Sequence, residues 1–128
     1  MEIVTAKLAT PNCDRIYVIR YALKLGMSVD DIFNICKIDQ WFVNQIKEIV
    51  DMESEIGNIF KLKGEEQKQL LKRIKQFGFS DKQIAIVTGK KEEEIRALRK
   101  ELKVIPVYKL VDTCGGEFKA NTAYYYST

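Results

Sequence analysis

Gly26-Met27-Ser28-Val29-Asp30-Asp31-Ile32 closes one helix and opens the next, and the same signal returns 52 residues later as Gly78-Phe79-Ser80-Asp81-Lys82-Gln83-Ile84. Glycine accepts the left-handed conformation common just past a helix end, so Gly26 and Gly78 read as stops. Ser28 with Asp31, and Ser80 with Gln83, have the spacing of a capping box. In that device the hydroxyl takes a free backbone N–H of the new helix while the acid or amide reaches back. At the same offset Ile32, Ile35, Val43, Ile46 and Val50 fall on Ile84, Val87, Ile95, Leu98 and Leu102. Upstream, Val18, Ile19, Ala22 and Leu25 fall on Leu70, Leu71, Ile74 and Phe77. Few identities survive, yet apolar positions stay in phase over about thirty residues, the mark of a supersecondary unit used twice. Chance agreement between two helical stretches is the alternative.

The punctuation extends outward from those two turns. Asp14 caps a helix whose expected buried stripe is Ile16, Ile19 and Leu23. Asp39 caps another, where Phe42, Ile46, Ile49 and Val50 share a face, and Gly57 ends it. Glu65 and Glu66 suit the positive end of a helix carrying Leu70, Ile74 and Phe77. Gly89 separates a short helix from a last one bearing Ile95, Leu98 and Leu102, and Pro106 forbids continuation. The expectation is an all-α fold: a helical domain over 1–105, built of two similar three-helix units at about 14–57 and 65–103. After it comes an extended irregular tail over 106–128, leading toward the next domain of a longer chain.

Composition bounds the function. With 128 residues, 46% hydrophobic and 30% charged, the chain reads as an ordinary globular domain. A net charge of +3 is too weak to imply nucleic acid by itself. No apolar run approaches the ~18 residues of a membrane helix, and the N-terminus lacks a signal-peptide layout, so the expected location is cytoplasmic. Cys13, Cys36 and Cys114 are odd in number and widely spaced, as reduced thiols are. The chain has no histidine, which removes the usual zinc sets, the usual general base and every Ser-His or Cys-His pair. Gly115-Gly116 lacks the spacing of a phosphate loop. No catalytic, cofactor-binding or metal residue is assigned.

Two features remain for contact. Trp41-Phe42 is the largest apolar concentration; the favoured reading is two core aromatics in different layers, the alternative a contact to another unit or domain. The basic pairs Lys72-Arg73 and Lys90-Lys91 read as solvated faces. The tail carries Tyr108, Asp112, Thr113, Cys114, Glu117, Phe118 and the run Tyr124-Tyr125-Tyr126. It is expected to dock on the helices through Phe118, with its tyrosine end reaching toward an absent domain. Cys114 reads as a small residue in a turn. Phe79 through Gly89 and the helix after it have the outline of a helix-turn-helix. The reading helix would open with Glu92, Glu93 and Glu94, which repel a polyanion. A free-standing nucleic-acid-binding module is therefore an alternative with poor chemistry, and an enzyme using Asp112 and Glu117 a weaker one.

The chain resembles the connecting, or oligomerisation, domain of the carbamoyl-phosphate synthase large subunit. The resemblance is carried by Lys7 through Asn12, Asp14-Arg15-Ile16, Gly26, Ser28, Ile32, Lys37-Ile38-Asp39, Trp41-Phe42 and Ile46. It resumes at Gly78 through Asp81, Ile95-Arg96 and Arg99. It closes with Pro106 through Lys109, Val111 through Cys114, Glu117-Phe118 and Thr122 through Thr128. Cys36 departs where threonine is expected, and Gly115-Gly116 where alanine is usual. The resemblance implies a non-catalytic helical connector between two ATP-binding halves of a ligase. That enzyme makes carbamoyl phosphate from bicarbonate, glutamine-derived ammonia and two ATP, for arginine and pyrimidine synthesis. It implies no cofactor on this segment, with ATP and magnesium or manganese held by the halves. The implied partners are those halves, a small glutaminase subunit and another copy of the chain, with no nucleic acid and no membrane. Trp41, Phe42, Asp112, Thr113, Cys114, Glu117, Phe118, Tyr124 and Tyr126 are the candidate structural or interdomain contacts. The expected outcome of calorimetric titration with Mg-ATP is no saturable signal, and binding to duplex DNA should vanish at moderate salt.

Overall fold

The computed structural model describes residues 2–113, 115–118 and 124–128. Its helices are α1 (Glu2–Ala9), α2 (Arg15–Lys24), α3 (Val29–Cys36), α4 (Gln40–Ile56), α5 (Gly64–Gln76), α6 (Asp81–Thr88) and α7 (Glu92–Glu101). Two short strands follow, β1 (Tyr108–Val111) and β2 (Tyr124–Ser127). The chain divides into two compact units, Met1–Gly57 and Asn58–Thr128. The fold is mostly α, as the periodicity requires. Among the described residues no helix is long and apolar enough to cross a membrane.

The turns that open the sequence reading form as read. Gly26 and Gly78 adopt φ of +87° and +90°. After α2, Met27 N–H reaches back to Ala22 O and Gly26 N–H to Leu23 O; after α5, Phe79 N–H reaches Ile74 O and Gly78 N–H reaches Lys75 O. These paired bonds satisfy carbonyls that the end of a helix leaves free. Two residues on, the Ser28 hydroxyl accepts from Asp31 N–H while Asp31 accepts from Ser28 N–H, and Ser80 and Gln83 do the same. Serine hydrogen bonding holds the Asp31 carboxyl below its ordinary range. α3 and α6, α2 and α5, and α4 and α7 share boundaries at the 52-residue offset: the ends at 24 and 76, the spans 29–36 and 81–88, and the starts at 40 and 92. This is a recurrence of punctuation, and common descent of the two units stands as a proposal.

In the first unit the core is Leu8, Val18, Ile19, Ala22, Ile32, Cys36 and Val43, with Leu23, Val29 and Ile46 packed on it half-buried. α1, upstream of the expected helices, supplies Leu8, and Arg15 donates to its last carbonyls, Leu8 O at 2.9 Å and Ala9 O at 3.2 Å. In the second unit Ile59, Leu71, Ile74, Phe79, Ile84, Ala85 and Ile95 are buried.

Several expected details are corrected. The α2 stripe is Val18, Ile19 and Ala22, because the register is rotated and Ile16 lies exposed. On α4 the buried residues are Val43, Met52 and Ile56; Phe42 and Ile49 are exposed. Asp14 precedes α2 with helical backbone angles, so its carboxylate makes no cap bond. Asp39, extended, does cap α4, accepting from Trp41 N–H at 2.8 Å. α7 stops five residues before Pro106, closed by Lys103 at φ +57°. The tail is not irregular throughout: β1 and β2 pair antiparallel in the register Tyr108↔Ser127, Lys109↔Tyr126, Leu110↔Tyr125 and Val111↔Tyr124. Val107 and Thr128 extend the ladder by exchanging both backbone bonds at 2.9 Å. Irregular backbone with unpaired polar groups is costly, and pairing the tail with itself removes that cost.

Two glycines give a paired test. A Cβ at Gly78 meets nothing within 4 Å, so Gly78→Ala carries only the left-handed strain, and unfolding in urea should show a loss of about 1–2 kcal/mol. Gly57 has φ −59°, so Gly57→Ala should be neutral or stabilising by up to about 1 kcal/mol.

Candidate contact surfaces

Trp41 and Phe42 open α4, where the chain leaves the Asp39 cap, and only Val43 of that triplet turns inward. The reading of two core aromatics is therefore overturned: Trp41 is 61% and Phe42 58% exposed. Their rings lie edge to face, centroids 5.0 Å apart, so they form one projecting aromatic knob. Such packing holds the pair in shape without a core around it. Asp39 lies at the base of the knob, and Gln40 donates its amide to Asp30 of α3 at 2.6 Å.

The tail residues divide by strand geometry. Residues opposite each other in an antiparallel ladder share a face. Tyr124 and Tyr126 lie with Val111 and Lys109 on one side of the ribbon, and Tyr108, Leu110 and Tyr125 lie on the other. All are exposed, Tyr108 by 71%. Phe118 is 75% exposed, so the expected docking through Phe118 is not observed. Asp112, Thr113 and Glu117 are exposed; Cys114 lies outside the described residues. The structure thus brings Tyr124 and Tyr126 together on one face, and Trp41 and Phe42 together on a separate element.

Two groups escaped the sequence reading. Ile16, Tyr17 and Tyr21 on the outer half of α2, and Leu25 just past its end, are each more than half exposed. The signal was there: α2 is apolar nearly all round, which a single-stripe reading hides. Arg20 and Lys24, the cations on that half, both bind Glu53 of α4 at 2.8 Å. Burial pushes the Glu53 carboxyl up, but Lys24 and Arg20 outweigh it and hold it below the ordinary range.

The second group is a charge cluster in the second unit. Asp81, 9% exposed, accepts from Lys75 Nζ at 2.9 Å and from Arg99 Nε at 3.2 Å. Lys75 also donates to Phe79 O and Arg99 to Val104 O, so α5, α6 and the end of α7 are tied at one point. Burial pushes the Asp81 carboxyl up, and the hydrogen bonds and charges of Lys75 and Arg99 overcome it, leaving it below the ordinary range. Among the described residues no cluster of His, Cys, Asp or Glu could hold a metal ion. The opening turn of α7 is acidic, with Glu94 accepting from Lys91 N–H and Glu92 paired with Arg96, and the nucleic-acid reading has no support.

A family model described as the carbamoyl-phosphate synthetase large chain, oligomerisation domain, matches residues 1–103. The carbamoyl phosphate synthase large chain of Archaeoglobus fulgidus is 44% identical over 100% of this chain and 12% of its own length. That of Nostoc sp. is 47% identical over 99% of this chain and 11% of its own length. The arginine-specific chloroplastic large chain of Arabidopsis thaliana is 46% identical over 94% of this chain and 10% of its own length. The chain spans about a tenth of the curated relatives it matches.

Asp81→Asn should lower stability at neutral pH by roughly 2–3 kcal/mol, since two cations lose their shared carboxylate. Because the folded carboxyl sits below its unfolded value, its contribution is present above about pH 4 and lost as pH falls through the folded value. The gap between wild type and variant in urea midpoints should therefore narrow on acidification.

Proposed function

Because the chain belongs to the carbamoyl-phosphate synthetase large-chain oligomerisation-domain family, we propose that it works as a non-catalytic connector that links and orients two ATP-binding halves of a longer ligase. That ligase makes carbamoyl phosphate from bicarbonate, glutamine-derived ammonia and two ATP. The halves hold the nucleotide with magnesium or manganese, a small glutaminase subunit delivers the ammonia, and the assembly works in the cytoplasm, feeding arginine and pyrimidine synthesis. The arginine branch draws support from the name of the Arabidopsis relative. Copies of the chain associate through this segment, a reading that the word oligomerisation in the family's description supports.

The observation that carries the connector reading is the β1–β2 ribbon. A two-stranded ribbon is marginal alone in water. This one shows aromatic or aliphatic side chains on both faces. Residues 104–128 lie beyond the family match yet within the stretch shared with full-length relatives. A ribbon apolar on both sides calls for packing on both sides, and the remainder of the longer chain is the material to supply it. Phe118 and the knob of Trp41 and Phe42 fit the same role.

Nitration of tyrosines, compared between this chain and the full-length large chain, tests the reading. Tyr124 and Tyr126 should react readily here and be protected in the longer protein; equal reactivity would sink the connector role of the ribbon. Deleting residues 121–128 removes β2. The helical melting temperature should then hardly change, since every β2 residue is exposed.

A further inference from the structure

The excess positive charge of this chain lies in one unit. Residues 1–57 hold six Lys and Arg against nine Asp and Glu, whereas residues 58–128 hold fifteen against nine. Within the second unit cations gather at a groove of about 790 Å³ between α5, the end of α7 and the root of the ribbon. Lys68, Lys72 and Lys75 of α5 line it with Arg99 of α7 and Lys103 just past it, and among the described residues no Asp or Glu does. Lys75 and Arg99 share Asp81, so one carboxylate answers two cations. Lys68 reaches only the exposed Glu65, at 3.8 Å. Among the described residues Lys72 and Lys103 make no ion pair. Like charges four apart on a helix repel. The dipole of α5 favours cations in its last turn, which Lys68 and Lys72 precede. The helix that carries this cluster therefore does not account for it.

A cleft of one charge sign beside low-dielectric walls concentrates the field and draws the opposite charge. The wall here is Ile105, 63% exposed, and Tyr108. An inorganic anion makes no use of such a wall, whereas a peptide bearing acids beside apolar side chains satisfies both parts. Tyr108 belongs to groove and ribbon alike, so the groove continues the surface that the remainder of the longer chain covers in the proposed function. We propose that an acidic segment of that remainder lies in the groove, its carboxylates on Lys68, Lys72 and Lys103 and its apolar side chains against Ile105. The inference rests on the connector reading and states the chemistry of the element that packs beside the ribbon.

Carbodiimide coupling of the full-length large chain, read by peptide mass spectrometry, tests it. The reagent joins an amine to a carboxylate only where the two already touch. Lys68, Lys72 or Lys103 should be joined to Asp or Glu of one stretch outside residues 1–128, in lower yield at high salt. Lys72→Glu with Lys103→Glu should cut the remaining Lys68 link at least about tenfold. Both side chains are exposed, so circular dichroism of the double variant of this chain should match wild type. Links confined to residues 1–128, or scattered over several outside stretches, overturn the proposal. Links between two copies, told apart by mixing isotope-labelled and unlabelled protein, assign the groove to a second copy and overturn it. Protection of Lys72 and Lys103 from acetylation by inorganic phosphate alone, with no outside link, assigns the groove to a free anion and overturns it. Tyrosine nitration of the same full-length chain separates the two failures. Protected Tyr124 and Tyr126 without outside links sink the acidic segment and leave the connector reading standing; reactive tyrosines without links sink both.

Discussion

The structure depends on one constraint: a residue in the left-handed region just past a helix end, found after α2, α3, α5, α6 and α7, with Lys37 in that position after α3. Gly26, Gly78, Gly89 and Lys103 each occupy that position after α2, α5, α6 and α7. The backbone bond from the next residue then runs back across the last turn, from Met27, Phe79, Lys90 and Val104. The bond turns the chain sharply and fixes the direction in which it leaves. After α2 and α5 the next residue is apolar and turns inward, Met27 half-buried and Phe79 buried. The serine after it opens the following helix. Helix packing follows from these exits, because a short helix such as α3 or α6 has too few bonds to choose its own orientation.

The two units apply this geometry to different chemistry. Where the first has Leu23 and Val29 beside its core, the second, at the same offset, has Lys75 and Asp81. A hydrophobic contact and an ion cluster thus occupy corresponding places. Replacing one with the other is often near neutral for stability, while removing one charged partner is costly. The ionic version ties three helices through directional bonds. The apolar version leaves the first unit's charge to its surface, where Glu53 gathers Arg20 and Lys24.

Much of the fold was legible because its signals are local. A stop needs a glycine and a cap needs a serine with an acid or amide three residues on, and Gly26, Ser28, Asp31, Gly78, Ser80 and Gln83 report on neighbours within one turn. Burial was legible only in part. Ile16, Phe42 and Ile49 have the hydrophobicity of core residues and stand exposed, since periodicity gives a stripe and not the side that is covered. The candidate contacts were half legible: the aromatic tail was visible as an oddity, while Trp41 and Phe42 were assigned inward and Asp81 went unremarked as an ordinary first-turn acid.

By itself the sequence determined the helices from α2 onward, most of their ends and the family, because each rests on residue types at short fixed spacings or on a long run of matches. The tertiary structure decided which faces are covered, that the tail pairs Tyr108–Val111 with Tyr124–Ser127, and that Lys75, Asp81 and Arg99 meet. Those facts join residues 6 to 19 positions apart, and nothing in the intervening chain encodes such a contact until the helices and turns have brought its ends together.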